Sequence, residues 1–246
     1  MQSDAFSTFN RWLLFIGVLI AGLALAHHYD LIRTLIQSDA SYLSVAILAF
    51  FFAATLHVGW LSWQLGKEVN KAAQLTQSAR QSDSLFESAK GQVHFANDST
   101  EPSVAKEHIT LLAEKVITCG ALTGHEALLD RLDNKLRRGH ETGWFIADLL
   151  VRLGLLGTVI GFILMLGSLS TVSSIDLQAL QQLLTRMTEG MQIALYTTLS
   201  GLTAGILLSF QYQLLDQGAN RLLADIIELS EVHVLRHLKA LREINQ

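Results

Sequence analysis

Cysteine and proline are almost missing from this sequence, occurring once each in 246 residues as Cys119 and Pro102. A lone cysteine excludes an intrachain disulfide and leaves thiol redox pairing without a partner. A lone proline, with little period-two apolar alternation, leaves an almost wholly helical reading. Charge is also scarce: 16% of residues, against about a quarter in an ordinary soluble domain. The net charge of −4 holds no basic excess, so nucleic acid is not an expected partner. No glycine loop is built to cradle phosphates, which argues against ATP as an energy source. His125-Glu126 opens like a zinc-hydrolase helix, but the second histidine three residues on is missing. No nucleophile–base pair replaces it. The sequence therefore predicts no catalytic residue, no metal site and no enzyme.

What the sequence does contain is hydrophobic: half of its residues, gathered into four runs. These cover about Trp12 to Ala26 (extendable to 28), Tyr42 to Trp63, Trp144 to Leu169 and Met191 to Leu215. A helix needs about 20 apolar residues to cross a bilayer, and each run approaches or exceeds that. The first ends in Ala24-Leu25-Ala26, which resembles a signal-peptide cleavage site. Asp4 and a single Arg11 make a poor positive leader, so a retained span is expected.

Lysine and arginine predict the orientation. Residues 64–143 carry ten of them, including Lys67, Lys71, Arg131, Lys135, Arg137 and Arg138, and the tail adds Arg221, Arg236, Lys239 and Arg242. The two short loops hold only Arg33 and Arg186. The expected fold is an all-α integral membrane protein with four transmembrane helices, both termini cytoplasmic and helical cytoplasmic extensions. Its parts are an N-terminal hairpin (1–63), a cytoplasmic helical domain (64–143), a second hairpin (144–215) and a C-terminal helix (216–246). Residues 66–96 are expected to prolong the second span as an amphipathic helix. Residues 97–102 form a break, with Ser99 or Thr100 capping the next helix and Pro102 in its first turn. Trp12, Trp60, Trp63 and Trp144 read as interfacial anchors, and His27 and His28 fall at the outer interface. Arg131, Lys135, Arg137 and Arg138 read as a solvated or lipid-facing inner flank.

The third and fourth runs hold the residues of interest. Gly157 and Gly161 lie four apart in LGLLGTVIGF (153–162), on one helix face, with Thr158 beside them. In ALYTTLSGLTAG (194–205), Ala194, Thr198, Gly201 and Gly205 form a single stripe, and Thr197, Ser200 and Thr203 add hydroxyls around it. Such residues serve close helix packing. They also suit an ion path, because a hydroxyl both donates and accepts hydrogen bonds. Spacing alone leaves both readings open. Neither span has a carboxylate at that depth. Asp148 and Arg152 sit at the cytoplasmic mouth of the third span and Glu189 at the outer start of the fourth, so any titrating group belongs to another chain.

LGLLGTVIGF, followed some thirty residues later by EGMQIALYTTLSGLTAGI, resembles the paired blocks of the MotA/TolQ/ExbB proton-channel family. The resemblance implies a homopentamer in the bacterial inner membrane whose last two helices surround a dimer of a single-span partner of MotB/TolR/ExbD type. The partner supplies the essential aspartate, and proton motive force drives mechanical work, as in a stator. It implies no cofactor, a transported proton (sodium being possible), and an ion path at Thr158, Thr198 and Ala194. Gly157, Gly161, Gly201 and Gly205 are then the packing glycines. The sequence departs from the pattern at Ile193, where TolQ and ExbB relatives usually carry glutamate, and at 205–207, where a proline is commonly found. Four spans bring it closer to MotA-like subunits. A non-conducting scaffold for a partner helix is the alternative.

Overall fold

A computed structural model of the chain describes residues 6–30, 33, 42–81, 86–89, 92–95, 102–119, 125–169 and 177–234. The elements are α1 (Ser7–His28), α2 (Leu43–Gln81), β1 (Phe86–Ala89), β2 (Gln92–Phe95), α3 (Val104–Cys119), α4 (His125–Arg137), α5 (His140–Leu169) and α6 (Leu177–Glu228). A π-helical turn, Leu229–Val234, follows α6. Among the described residues, four helices are long and apolar enough to cross a membrane: α1, α2, α5 and α6. All four apolar runs are thus helical. Two of them belong to helices far longer than the runs, 39 residues in α2 and 52 in α6.

The helical extension of α2 stops short of its expected end. It reaches Gln81, and β1 and β2 then pair antiparallel, Phe86 opposite Phe95 and Ala89 opposite Gln92. The correction has a local cause. Val93-His94-Phe95 alternates with period two, the strand period, and Lys90-Gly91 separates the arms by the two residues a tight hairpin needs. The cap of α3 is corrected as well. Ser103 accepts from Lys106 N–H through its side chain at 3.1 Å, and Pro102 precedes that cap. The carboxylate of Glu68 on α2 accepts a second free amide, Val104 N–H, at 2.8 Å. Ser99 and Thr100 lie outside the described residues, as does the tail beyond 234.

The chain divides into two compact units. One comprises Met1–Arg11, Trp60–His140 and Leu214–Gln246. Its buried residues Leu215, Ala219, Leu222 and Ile226 of α6, with Leu229 of the π-helical turn, alternate spacings of four and three, the seam of a coiled-coil-like helix. Leu65, Ala72, Leu75 and Ala79 of α2 and Ile109, Leu112 and Ala113 of α3 complete that core. The basic residues of α4 are largely exposed, as a solvated flank requires, and three of them pair with acidic or amide groups of this unit. Arg131 and Lys135 both pair with Glu107, and Arg137 with Asp133 and Asn220. The ammonium of Lys135, with Arg131 nearby, holds the Glu107 carboxyl below its usual range.

The second unit comprises Trp12–Gly59 and Glu141–Gln213. Its core is small: Ile47, Phe51, Ala54 and Val58 of α2, Ala147 and Leu150 of α5, and Ile193, Ala204, Leu208 and Tyr212 of α6. Helix α1 has no buried residue. Large apolar side chains such as Leu155, Val159, Phe162, Leu195, Leu199 and Ile206 face outward, as spans surrounded by lipid or by other helices require.

The candidate ion path

Helices α5 and α6 run side by side with their backbones in contact, because the residues between them have little or no side chain. A methyl built on Gly201 would lie 2.7 Å from both the Gly154 Cα and the Leu150 carbonyl oxygen. One built on Gly161 would lie 2.6 Å from the Gly190 carbonyl oxygen and 2.7 Å from the Ala194 nitrogen. Gly205 packs against Val151 and Ala147, and Gly157 against the side chain of Thr197. The pairing is antiparallel: partners move back along α6 as they advance along α5. All four expected packing glycines lie in this seam. Two further glycines belong to it, Gly154 and Gly190. Gly154 stands three before Gly157 and seven before Gly161, so its place on the stripe was readable from spacing.

The hydroxyls divide by what they bond. Thr197 is fully buried and donates to the Ile193 and Ala194 carbonyls of its own helix, at 2.9 and 3.1 Å. Thr198, partly exposed, donates across the seam to the Gly154 carbonyl at 3.0 Å. Thr158, also partly exposed, donates to the Leu155 carbonyl at 2.6 Å. Thr158 and Thr198 therefore stand about one turn apart along the seam, since Thr198 engages the residue four before Thr158. Each has committed its proton to a carbonyl, so the oxygen left at the surface is an acceptor. An acceptor suits a protonated carboxyl, a hydrated proton or a metal cation.

Ala194 sits in the seam against Gly161 and is partly exposed. Ile193 is 4% exposed, so this chain buries an aliphatic group at the position before the Ala-Leu pair. Glu189 lies exposed one turn earlier. Asp148 and Arg152 form an exposed i, i+4 pair at 2.5 Å on α5. His27 and His28 are exposed at the end of α1.

A second polar group in the same unit was not anticipated. Trp12 of α1 donates its indole N–H to Gln211 Oε1 at 3.2 Å, and Gln211 Nε2 donates to Thr55 Oγ1 of α2 at 3.2 Å. His57 Nδ1 and the Tyr212 hydroxyl are 3.2 Å apart, and the Tyr212 ring packs on Gly143. Trp12 is thus an interhelical donor with Gly59 beneath its ring, not only an interfacial anchor. Polar Gln211 and His57 inside apolar runs were the available signal.

A family model described as the MotA/TolQ/ExbB proton channel family matches residues 102–228, more than half of the chain. The chain belongs to the MotA/TolQ/ExbB proton channel family. The match begins at the residue before the α3 cap and ends with α6, so it contains the whole α5–α6 seam. No curated protein and no solved structure matches the chain. Family and apolar helices together make it a multi-pass membrane protein with the role of an ion-channel motor subunit.

Proposed function

We propose that this chain is the proton-conducting subunit of a bacterial inner-membrane motor. Five copies form a ring around the single helices of a dimeric partner of MotB/TolR/ExbD type. Both termini lie in the cytoplasm, as the lysine and arginine distribution favours. The partner's aspartate takes up a proton, which cancels its charge in a dry ring and lets its helix move past the next subunit. Thr158 and Thr198 guide the ion by accepting hydrogen bonds and do not titrate.

One observation carries this reading. The two family-block threonines retain outward acceptor oxygens, while their neighbour Thr197 is wholly consumed in packing. Replacing Thr198 with Val should abolish motor output while rings still assemble, as judged by native mass spectrometry. Replacing it with Ser should preserve both. Normal output from the valine variant would remove Thr198 from the path.

Buried Ile193 favours a second reading, a ring that supports its partner helix without conducting. In that case output survives collapse of both the proton and sodium gradients. Loss of output when only the sodium gradient is collapsed would instead assign sodium as the driving ion.

A further inference from the structure

The outward face of α2 ends in a pair of donors that the ion path does not use. Val45, Phe52, Leu56, Trp60 and Trp63 are exposed and recur at spacings of three, four and seven, so they form one stripe along the helix. Lys67, four residues on, is exposed on the same stripe. Beyond it the face turns polar, with Asn70, Gln74 and Gln77. From Val45 to Trp63 the apolar stretch is about 27 Å long, close to the hydrocarbon thickness of a bilayer. Trp60, Trp63 and Lys67 therefore lie where hydrocarbon gives way to headgroups, the depth that tryptophan and lysine favour. All three belong to the first unit.

The Lys67 ammonium stands over the Trp63 ring, 3.4 Å from its centroid. Helical side chains lean toward the N-terminus, so this lysine points back to the membrane. Among the described residues it forms no ion pair, and the Trp63 indole N–H meets no acceptor. The neighbouring charges are engaged elsewhere. Glu68 lies about 100° round the helix, where it pairs with Lys71 and accepts from the Val104 amide. Lys71 also donates to the Pro102 carbonyl. Stacking on a ring leaves the ammonium N–H groups on the open side able to donate. A cation and an N–H side by side at headgroup depth make a receptor for a phosphate.

We propose that Lys67 and Trp63 hold the headgroup phosphate of an anionic glycerophospholipid whose acyl chains lie along Leu56 and Phe52. Charge complementarity selects the headgroup class, because a zwitterionic headgroup brings its own ammonium to the site and an anionic one does not. The apolar stripe below the site selects a lipid over a soluble phosphate. In the orientation proposed above, the lipid belongs to the cytoplasmic leaflet. The site requires only that α2 crosses the membrane, so it goes beyond the ion path and stands whether or not the ring conducts. Its effect is to fix the depth at which α2 leaves the bilayer. Glu68 and Lys71, in the next turn of α2, hold the start of α3, so the lipid sets the height of that helix too.

Quenching of tryptophan fluorescence by brominated lipids tests this on the full-length chain in phosphatidylcholine vesicles. The Trp63 signal is the difference between each protein and its Trp63→Phe counterpart. Dibrominated phosphatidylglycerol should bind beside Trp63 about fivefold more tightly than dibrominated phosphatidylcholine, the preference that one lysine near an anionic surface supports. Lys67→Gln should abolish the preference, Lys67→Arg should keep it, and added inorganic phosphate should leave it unchanged. A ring that does not conduct would show the same ratios, so the two readings fail separately. Equal quenching by the two lipids in the wild type, a preference that survives Lys67→Gln, or displacement by inorganic phosphate would overturn the proposal. So would the absence of quenching by either lipid, which would assign this face to a second copy of the chain.

Discussion

The second unit joins its helices in two ways, and the contrast separates architecture from function. Along α5 and α6 the contact is backbone on backbone, made by Gly154, Gly161, Gly190 and Gly201. Between α1, α2 and α6 it is side chain to side chain, through Trp12, Gln211, Thr55, His57 and Tyr212. Lipid offers no hydrophobic drive for helices to associate, so each joint must rely on close packing or on hydrogen bonds. The first brings two helices near enough for a threonine on one to reach a carbonyl on the other. The second consumes its polar groups in pairwise bonds and leaves α1 with no buried residue. A path that must offer acceptors to an ion belongs with the first arrangement.

Breaking the glycine joint should have the largest effect. In Gly201→Val the new side chain meets backbone atoms of Gly154 and Leu150, which have no rotamer to yield. Overpacking of this kind costs about 3 kcal/mol or more, and the folded, monodisperse yield from membranes should collapse. A normal yield would mean that the seam is looser than described. The polar joint should be more forgiving. Gln211→Leu removes both bonds that Gln211 makes to its neighbours, at a cost of about 1–2 kcal/mol in unfolding free energy. Combining it with Trp12→Phe should add less than the sum of the singles, because the two share one bond. Full additivity would break the assigned pair.

Exposed charge pairs should matter least. Glu107→Gln should shift stability by less than about 1 kcal/mol near neutral pH, its partners being about half exposed. The direction with pH is set by the lowered Glu107 pKa. The pair contributes fully above the carboxyl's ordinary titration near pH 4.5 and is lost as pH falls through the depressed folded value. Thermal melts from pH 7 down to pH 3 should therefore converge for wild type and variant at the acid end. A gap that widened toward acid would contradict the pairing.

Much of this contrast was legible before any coordinates. The glycine stripes at spacings of three and four report close approach directly, since only a missing side chain permits it. That made the α5–α6 seam readable, Gly154 included. The polar joint was harder. Gln211 and His57 stand out as polar groups within apolar runs, but nothing local says that Gln211 bonds Trp12, 199 positions away. Helical periodicity misled at 86–89 and 92–95 because widely spaced apolar residues such as Phe86 and Val93 satisfy it by chance. The shorter Val93-His94-Phe95 alternation was the truer signal there.

Proton flux into proteoliposomes holding this chain assembled with its single-span partner bears most directly on the central claim, that Thr158 and Thr198 lend acceptor oxygens to a passing ion. Under an imposed proton gradient, Thr158→Val and Thr198→Val should each slow flux by about tenfold, as expected when one hydrogen bond is lost from the barrier. Thr198→Ser should conduct like wild type. Wild-type flux in both valine variants, with rings and partner intact, would contradict the account.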